Sequence, residues 1–268
     1  MIKMKTLPNI ELSRMDMLNL LRFDAKKYGE AFLCNFSSNR VLYKIFYVPD
    51  YLKEEDEADD LSFVRYRYSL SDISDMSDNK FAKIKKIYEM QLEHTTTPIA
   101  TITMDGRLIG YAMNFDYNDV IINPLRQSRE YLVEYLRRSK SILEYLDSKD
   151  IIYGDVAHRN ILVNRTNMDM HFCDMDNVSL GQYPIDMESI SLSMYREQRG
   201  IIDSKCDAYM HNLMTVTDFH IATKPNFLSR MRVNKEFSST GKRIYESLST
   251  PKTFTGEYII DYVKEKRK

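Results

Sequence analysis

The chain has 268 residues, 43% hydrophobic and 29% charged, enough apolar surface for a sizeable core in two lobes or one large domain. Lys+Arg 38 against Asp+Glu 39 leaves a net charge of -1, so no overall field recruits nucleic acid or an acidic membrane. Cys34, Cys173 and Cys206 are scattered without metal-ligand spacing, as expected of free thiols in a reducing compartment. With no charged-then-apolar leader and no apolar run near the roughly eighteen residues of a membrane span, the expectation is a cytoplasmic protein.

After Pro8, residues Ile10, Leu12, Met15, Met17, Leu18 and Leu21 form a rough helical stripe, read as a packing helix within an entry segment, residues 1–22. Tyr28 to Phe36 and Arg40 to Phe46 then read as two strands around a Ser37-Ser38-Asn39 turn, with Lys44 set among apolar neighbours on the second. The loop before them, Asp24-Ala25-Lys26-Lys27-Tyr28-Gly29, keeps one glycine. Side chains at Ala25 and Lys27 hinder close approach of backbone to a phosphate, although Lys26 or Lys27 could add charge. Between Val48 and Asn79 the runs Glu54-Glu55-Asp56-Glu57 and Ser71 to Asp78 predict a solvated insertion.

A helix follows over Lys80 to Leu92, with Phe81, Ile84, Ile87, Tyr88 and Gln91 on one face. Ile99 to Met104 and Arg107 to Met113 form a hairpin, because Asp105-Gly106 suits the positive φ angles of a two-residue turn. The linker Met113 to Asn118 comes next, and after Pro124 a long helix runs with Tyr131, Leu132, Tyr135, Leu136, Ile142, Leu143, Tyr145 and Leu146 as its core stripe.

The most informative stretch is Ile151 to Val163 with Met170 to Asn177. Asp155 precedes Asn160 by five residues, and Ile161-Leu162-Val163 forms a strand. Asn164-Arg165-Thr166-Asn167 turns the chain, and an apolar return ends at Asp174. Such an arrangement can bring a base and two oxygen ligands to one point, which suits phosphoryl transfer, where positioning and charge neutralisation dominate. Magnesium needs only a few hard oxygens besides water and phosphate.

Beyond it, Val178 to Ile185 is irregular, with hydroxyls at Ser179 and Tyr183. Lys205 to Met214 starts a helix with Asp207 as its N-cap. From Pro225 on, Phe227, Leu228, Met231, Ile244, Tyr245, Leu248, Tyr258, Ile259 and Tyr262 suggest packed helices before a basic tail, Lys264 to Lys268. No His-x-x-x-His pair occurs, so zinc is not expected.

These two turns resemble the catalytic and metal-binding loops of the eukaryotic-type protein kinase superfamily. The resemblance implies a bilobal α+β fold with a small β-rich N-lobe, residues 23–115, and a mostly helical C-lobe, residues 116–268, after an N-terminal extension, residues 1–22. It implies that ATP and Mg2+ are cofactors and that Asp155 is the catalytic base, with Asn160 and Asp174 holding the metal. Lys44 would reach the nucleotide phosphates and pair with Glu89, or in reserve Glu93. Gly29 and Ala31 would belong to the nucleotide site, and the Met113 and Phe115 backbone would face adenine. Asp207 would hold the catalytic-loop backbone. Arg159 joins the catalytic set because Val156 to Asn160 is similar to the loop of tyrosine kinases.

Departures from the family pattern narrow the reading. Its His-Arg is Tyr153-Gly154 here, so switching by activation-loop phosphorylation is not expected. Asp174-Met175-Asp176 replaces a glycine by a second carboxylate, which adds to metal binding or faces solvent, with Asp174 the main ligand. The expected activity is transfer of the γ-phosphate of ATP to a Ser, Thr or Tyr hydroxyl of a protein, with no nucleic acid or membrane partner. Tyr153-Gly154-Asp155 is also similar to the His-Gly-Asp of small-molecule kinases acting on aminoglycosides or choline. A pseudokinase acting as a binding module is the third reading, favoured by the missing glycines and opposed by the intact Asp155, Asn160 and Asp174.

Overall fold

Strand-forming runs pair into sheets and the amphipathic stretches between them coil into helices, giving a mixed α+β chain. The computed structural model describes residues 7–19, 25–28, 31–36, 41–46, 73–114, 119–123, 127–186, 189–222 and 260. The chain divides into two compact units, Met1–Asp119 and Val120–Lys268, a boundary a few residues beyond the expected one.

The first unit is built on a sheet of six strands: β1 (Asn9–Glu11), β2 (Ala25–Tyr28), β3 (Ala31–Phe36), β4 (Val41–Ile45), β5 (Pro98–Met104) and β6 (Arg107–Asn114). Its order is β1-β5-β6-β4-β3-β2, antiparallel except for the parallel pair β1 and β5. The period of two along β4 divides its side chains between two clusters. Tyr43 and Ile45 pack with Leu12, Met17, Ala100, Ile102 and Ala112, while Leu42 and Phe46 join Ile84, Tyr111 and Met113. Ile102 pairs with Gly110 and Thr103 with Leu108, so Ile109 is an extra residue in β6. That bulge reverses the alternation and lets Ile109 and Ala112 serve the same cluster.

Three expectations for this unit are corrected. Asp24 to Gly29, expected as a loop before a strand starting at Tyr28, instead holds strand β2, Ala25–Tyr28, whose backbone hydrogen bonds are taken up by β3. The entry segment is not one helical stripe: Asn9–Glu11 adds a strand beside β5, and helix α1 is confined to Arg14–Asn19. Helix α2 spans Ile73–Met90, so the stretch Ser71 to Asp78, expected in a solvated insertion, lies largely within a helix. The rest of that insertion, residues 47–72, is outside the described residues.

In the second unit, β7 (Asp119–Ile121), β9 (Ile161–Asn164) and β10 (Met170–Phe172) form one sheet in the order β10-β9-β7, and β8 (Ile151–Ile152) pairs with β11 (Ser179–Leu180). Helix α3, Arg129–Asp147, starts where the Ser128 hydroxyl accepts the Tyr131 N–H, satisfying one of the orphan donors of a helix start. It packs on α5 (Lys205–Ala222), which also packs on α4 (Ile190–Arg199). Leu136, Leu143 and Leu146 are fully buried, each stabilising the unit by about 1.5–3 kcal/mol. Among the described residues no helix is long and apolar enough to cross a membrane.

Candidate active site

The β9–β10 hairpin sets two of the candidate residues side by side. Its last pair is Ile161 with Phe172, so Asn160 just precedes one strand and Asp174 follows soon after the other. The ladder continues beyond the strands, because Cys173 N–H donates to the Asn160 carbonyl at 3.0 Å. At the other end, Asn164 Oδ1 accepts Thr166 N–H at 3.0 Å, the local turn bond that Asn makes readily. Asp174 has φ 65° and ψ 36° and caps a short 3-10 turn, Met175–Asn177. A non-glycine residue in this left-handed region costs about 1–2 kcal/mol.

Asp155 lies in the turn between β8 and the 3-10 turn His158–Asn160. Asn160 Nδ2 donates to its carbonyl at 2.9 Å and to its carboxylate at 2.7 Å. Both partners only accept, which fixes the amide orientation and leaves Asn160 Oδ1 as an acceptor directed elsewhere. Arg159 Nη2 bonds both oxygens of Asp155 at 2.8 Å. With side-chain exposures of 65% for Arg159 and 19% for Asp155, this is a surface pair worth at most about 1 kcal/mol.

The turn is anchored from below. Asp207 is buried and accepts the N–H of Tyr153 at 2.7 Å and of Gly154 at 2.8 Å. Burial pushes its carboxyl up to about 6, and the two backbone hydrogen bonds work in the opposite direction. Asp207 is therefore not the helix cap that its position suggested: it lies in the first turn of α5, whose start is held by Asp203, accepting Lys205 N–H at 3.0 Å. Gly154 takes φ +77°, and a Cβ there would lie 2.4 Å from Ile185 Cδ1. Ser189 Oγ donates to the Gly154 carbonyl at 3.2 Å.

Sequence reasoning overlooked Tyr153. Its hydroxyl donates to the Cys173 carbonyl and its ring meets Phe172 edge-on, with centroids 4.8 Å apart. Burial drives its phenol well above the ordinary range, so it stays a neutral donor. The signal available was its position, where the kinase pattern has histidine. Asp176 is 2% exposed, which corrects the option that this second carboxylate faces solvent.

The nucleotide-site candidates belong to the first unit. Lys44 is half-buried in β4, its ammonium 5.6 Å from the Phe46 ring centroid and 5.9 Å from that of Tyr111, within cation–π range. The expected Lys44–Glu89 pair is corrected: Glu89 is exposed and makes no ion pair among the described residues. It lies about half a turn around α2 from buried Ile87. Glu93, beyond the helix end, is also exposed. Met113 is buried in β6, and Ala31 opens β3 opposite Tyr28. Gly29 and Phe115 lie outside the described residues.

Among the described residues no three His, Cys, Asp or Glu side chains converge as a metal site. Asn160 with Asp174 fits magnesium on donor chemistry, a carboxamide and a carboxylate oxygen, with water and phosphate completing the shell. No protein-family model matches the chain, and no curated protein matches it.

Proposed function

We propose that the chain is an ATP- and Mg2+-dependent phosphotransferase of bilobal, protein-kinase-like fold, transferring the γ-phosphate to a Ser, Thr or Tyr hydroxyl. One observation carries the reading: the Asp155 turn is joined to the Asp174 turn through Asn160 and Tyr153, and pinned at its base by Asp207. On this reading Asp155 orients the acceptor hydroxyl and takes its proton as Arg159 gives way. Asn160 Oδ1 and the Asp174 carboxylate would hold Mg2+, which neutralises charge on the phosphates. Lys44 would bind the nucleotide phosphates, without help from Glu89.

A small-molecule hydroxyl acceptor is the second reading, resting on the likeness of Tyr153-Gly154-Asp155 to the small-molecule-kinase turn. Both the positive φ of Gly154 and the contact with Ile185 demand glycine there, so Tyr153-Gly154-Asp155 keeps its likeness to the His-Gly-Asp of small-molecule kinases for a structural reason.

Thermal shift of the full chain with ATP, with and without Mg2+, tests the proposal. Stabilisation by ATP that needs Mg2+ in the wild type and is lost in Asp174→Ala is expected. No shift in the wild type, or the same shift in the variant, would overturn the metal assignment. Binding without transfer to any acceptor would support a pseudokinase instead.

A further inference from the structure

Helix α5 carries a second buried carboxylate that the proposed chemistry does not use. Asp218 is 2% exposed. Its Oδ1 lies 2.9 Å from His158 Nε2, and among the described residues its Oδ2 has no hydrogen-bond partner. The other ring nitrogen of His158, Nδ1, lies 3.1 Å from the hydroxyl of Tyr135 on α3, with ring centroids 5.4 Å apart. A carboxylate only accepts, so Nε2 carries the proton shared with Asp218, and Nδ1 shares the second hydrogen bond with the Tyr135 hydroxyl.

The spacing gives this triad a purpose. Asp207 and Asp218 are eleven residues apart on α5, about three turns, so they share one face about 16 Å apart. Asp207 grips Tyr153 and Gly154, and Asp218 grips His158. Four residues lie between Tyr153 and His158, with Gly154 in the left-handed region at φ +77°. Ala157, at φ -152° and ψ 153°, is extended. Asp155 sits between the two gripped points, and Arg159 and Asn160 follow His158 in the same short turn.

We propose that α5 clamps the catalytic turn at two points, with His158 as a positioning residue that fixes Arg159 and Asn160 relative to Asp155 through Asp218 and Tyr135. The role assigned to turnover rests on the phosphotransferase reading; the clamp itself does not. A carboxylate this buried is costly unless hydrogen-bonded, and among the described residues His158 supplies its one side-chain bond. Asp218 therefore holds the ring as firmly as the ring holds Asp218. Tyr135 closes the remaining nitrogen, so the imidazole has no other orientation that keeps both contacts.

The test is a double-mutant cycle in the full chain with His158→Ala, Asp218→Ala and the pair, plus Asp218→Asn as the conservative variant. Each is followed by amide hydrogen exchange of Asn160, by urea unfolding and by turnover. The Asn160 amide, which donates to Ala157 at 2.9 Å, should lose protection in His158→Ala while α3 and α5 amides keep theirs. Turnover should fall about 10–100-fold with KM for ATP nearly unchanged, as for misplaced catalytic groups. The double variant should be no worse than either single one, and Asp218→Asn, which still accepts from Nε2–H, should restore most of the loss. Unchanged Asn160 protection in folded His158→Ala overturns the clamp, and so do additive losses. Should alanine at 218 prevent folding, Asp218→Asn and His158→Ala still decide it. If the wild type transfers no phosphate to any acceptor, the phosphotransferase reading fails, and hydrogen exchange alone still decides the clamp.

Discussion

The Tyr153 hydroxyl donates to the backbone carbonyl of Cys173, so the residue two before Asp155 holds the residue before Asp174. This bond ties the turn carrying the candidate base to the turn carrying the candidate metal ligand. The edge-on contact of Tyr153 with Phe172 adds apolar packing to it. Tyr153→Phe keeps the ring and removes the bond, and should cost about 1 kcal/mol by urea unfolding. Tyr153→Ala should cost about 3–5 kcal/mol, the range for deleting a buried aromatic ring. Equal losses in the two variants would show that the hydroxyl, not the ring, supplies the stability.

Asp207 makes stability depend on pH. Its carboxyl rises from 3.8 to about 6 on folding because burial disfavours the charge. Between those values the native chain holds a proton that the unfolded chain releases. Stability is therefore greatest below the unfolded value and falls as pH rises through the window, by about 3 kcal/mol in all. Buried Asp218 is shifted in the same direction, so Asp207→Asn should flatten the slope between pH 4 and about 6 without abolishing it. Urea unfolding at several pH values reads this directly, and an unchanged slope would assign the titration to other groups.

Gly154 tests how the segment after the metal turn is seated. Gly154→Ala meets both a left-handed backbone cost, about 1–2 kcal/mol, and the Ile185 contact at 2.4 Å. Ile185→Ala in the same chain should remove the steric part and leave the backbone part. Thermal unfolding of the two single variants and the pair separates these effects. A pair whose losses simply add would show that Ile185 does not press on position 154.

What could be read in the amino-acid order was local. The β5–β6 hairpin follows from Asp105-Gly106, which take φ 53° and 71° as a two-residue turn requires. The β9–β10 hairpin and α3 follow likewise from their own periodicity. β1 was missed because a strand of three residues is fixed by its partner β5, some ninety positions away. The apolar Ile10, Leu12 and Met17 fit a helical stripe equally well. The start of α2 was hidden by an Asp- and Ser-rich run that reads as solvated loop.

The adjacency of the Asp155 and Asp174 turns was legible because they lie close in sequence. Tyr135 and Asp218 were not, since they reach His158 from 23 and 60 residues away and no local pattern marks them. Glu89 failed as the partner of Lys44 for a related reason: a helix face is set by what buries it, and Ile84 and Ile87 turn Glu89 outward.

The most direct measurement is transfer of label from [γ-32P]ATP by the full chain with Mg2+, offered denatured and folded protein acceptors and a panel of small alcohols and aminosugars. The account predicts labelled acceptor that disappears when Mg2+ is withheld, and falls about 100–10,000-fold in Asp155→Ala while ATP binding persists. Transfer that survives Asp155→Ala undiminished, or no transfer to any acceptor despite Mg2+-dependent ATP binding, would contradict it.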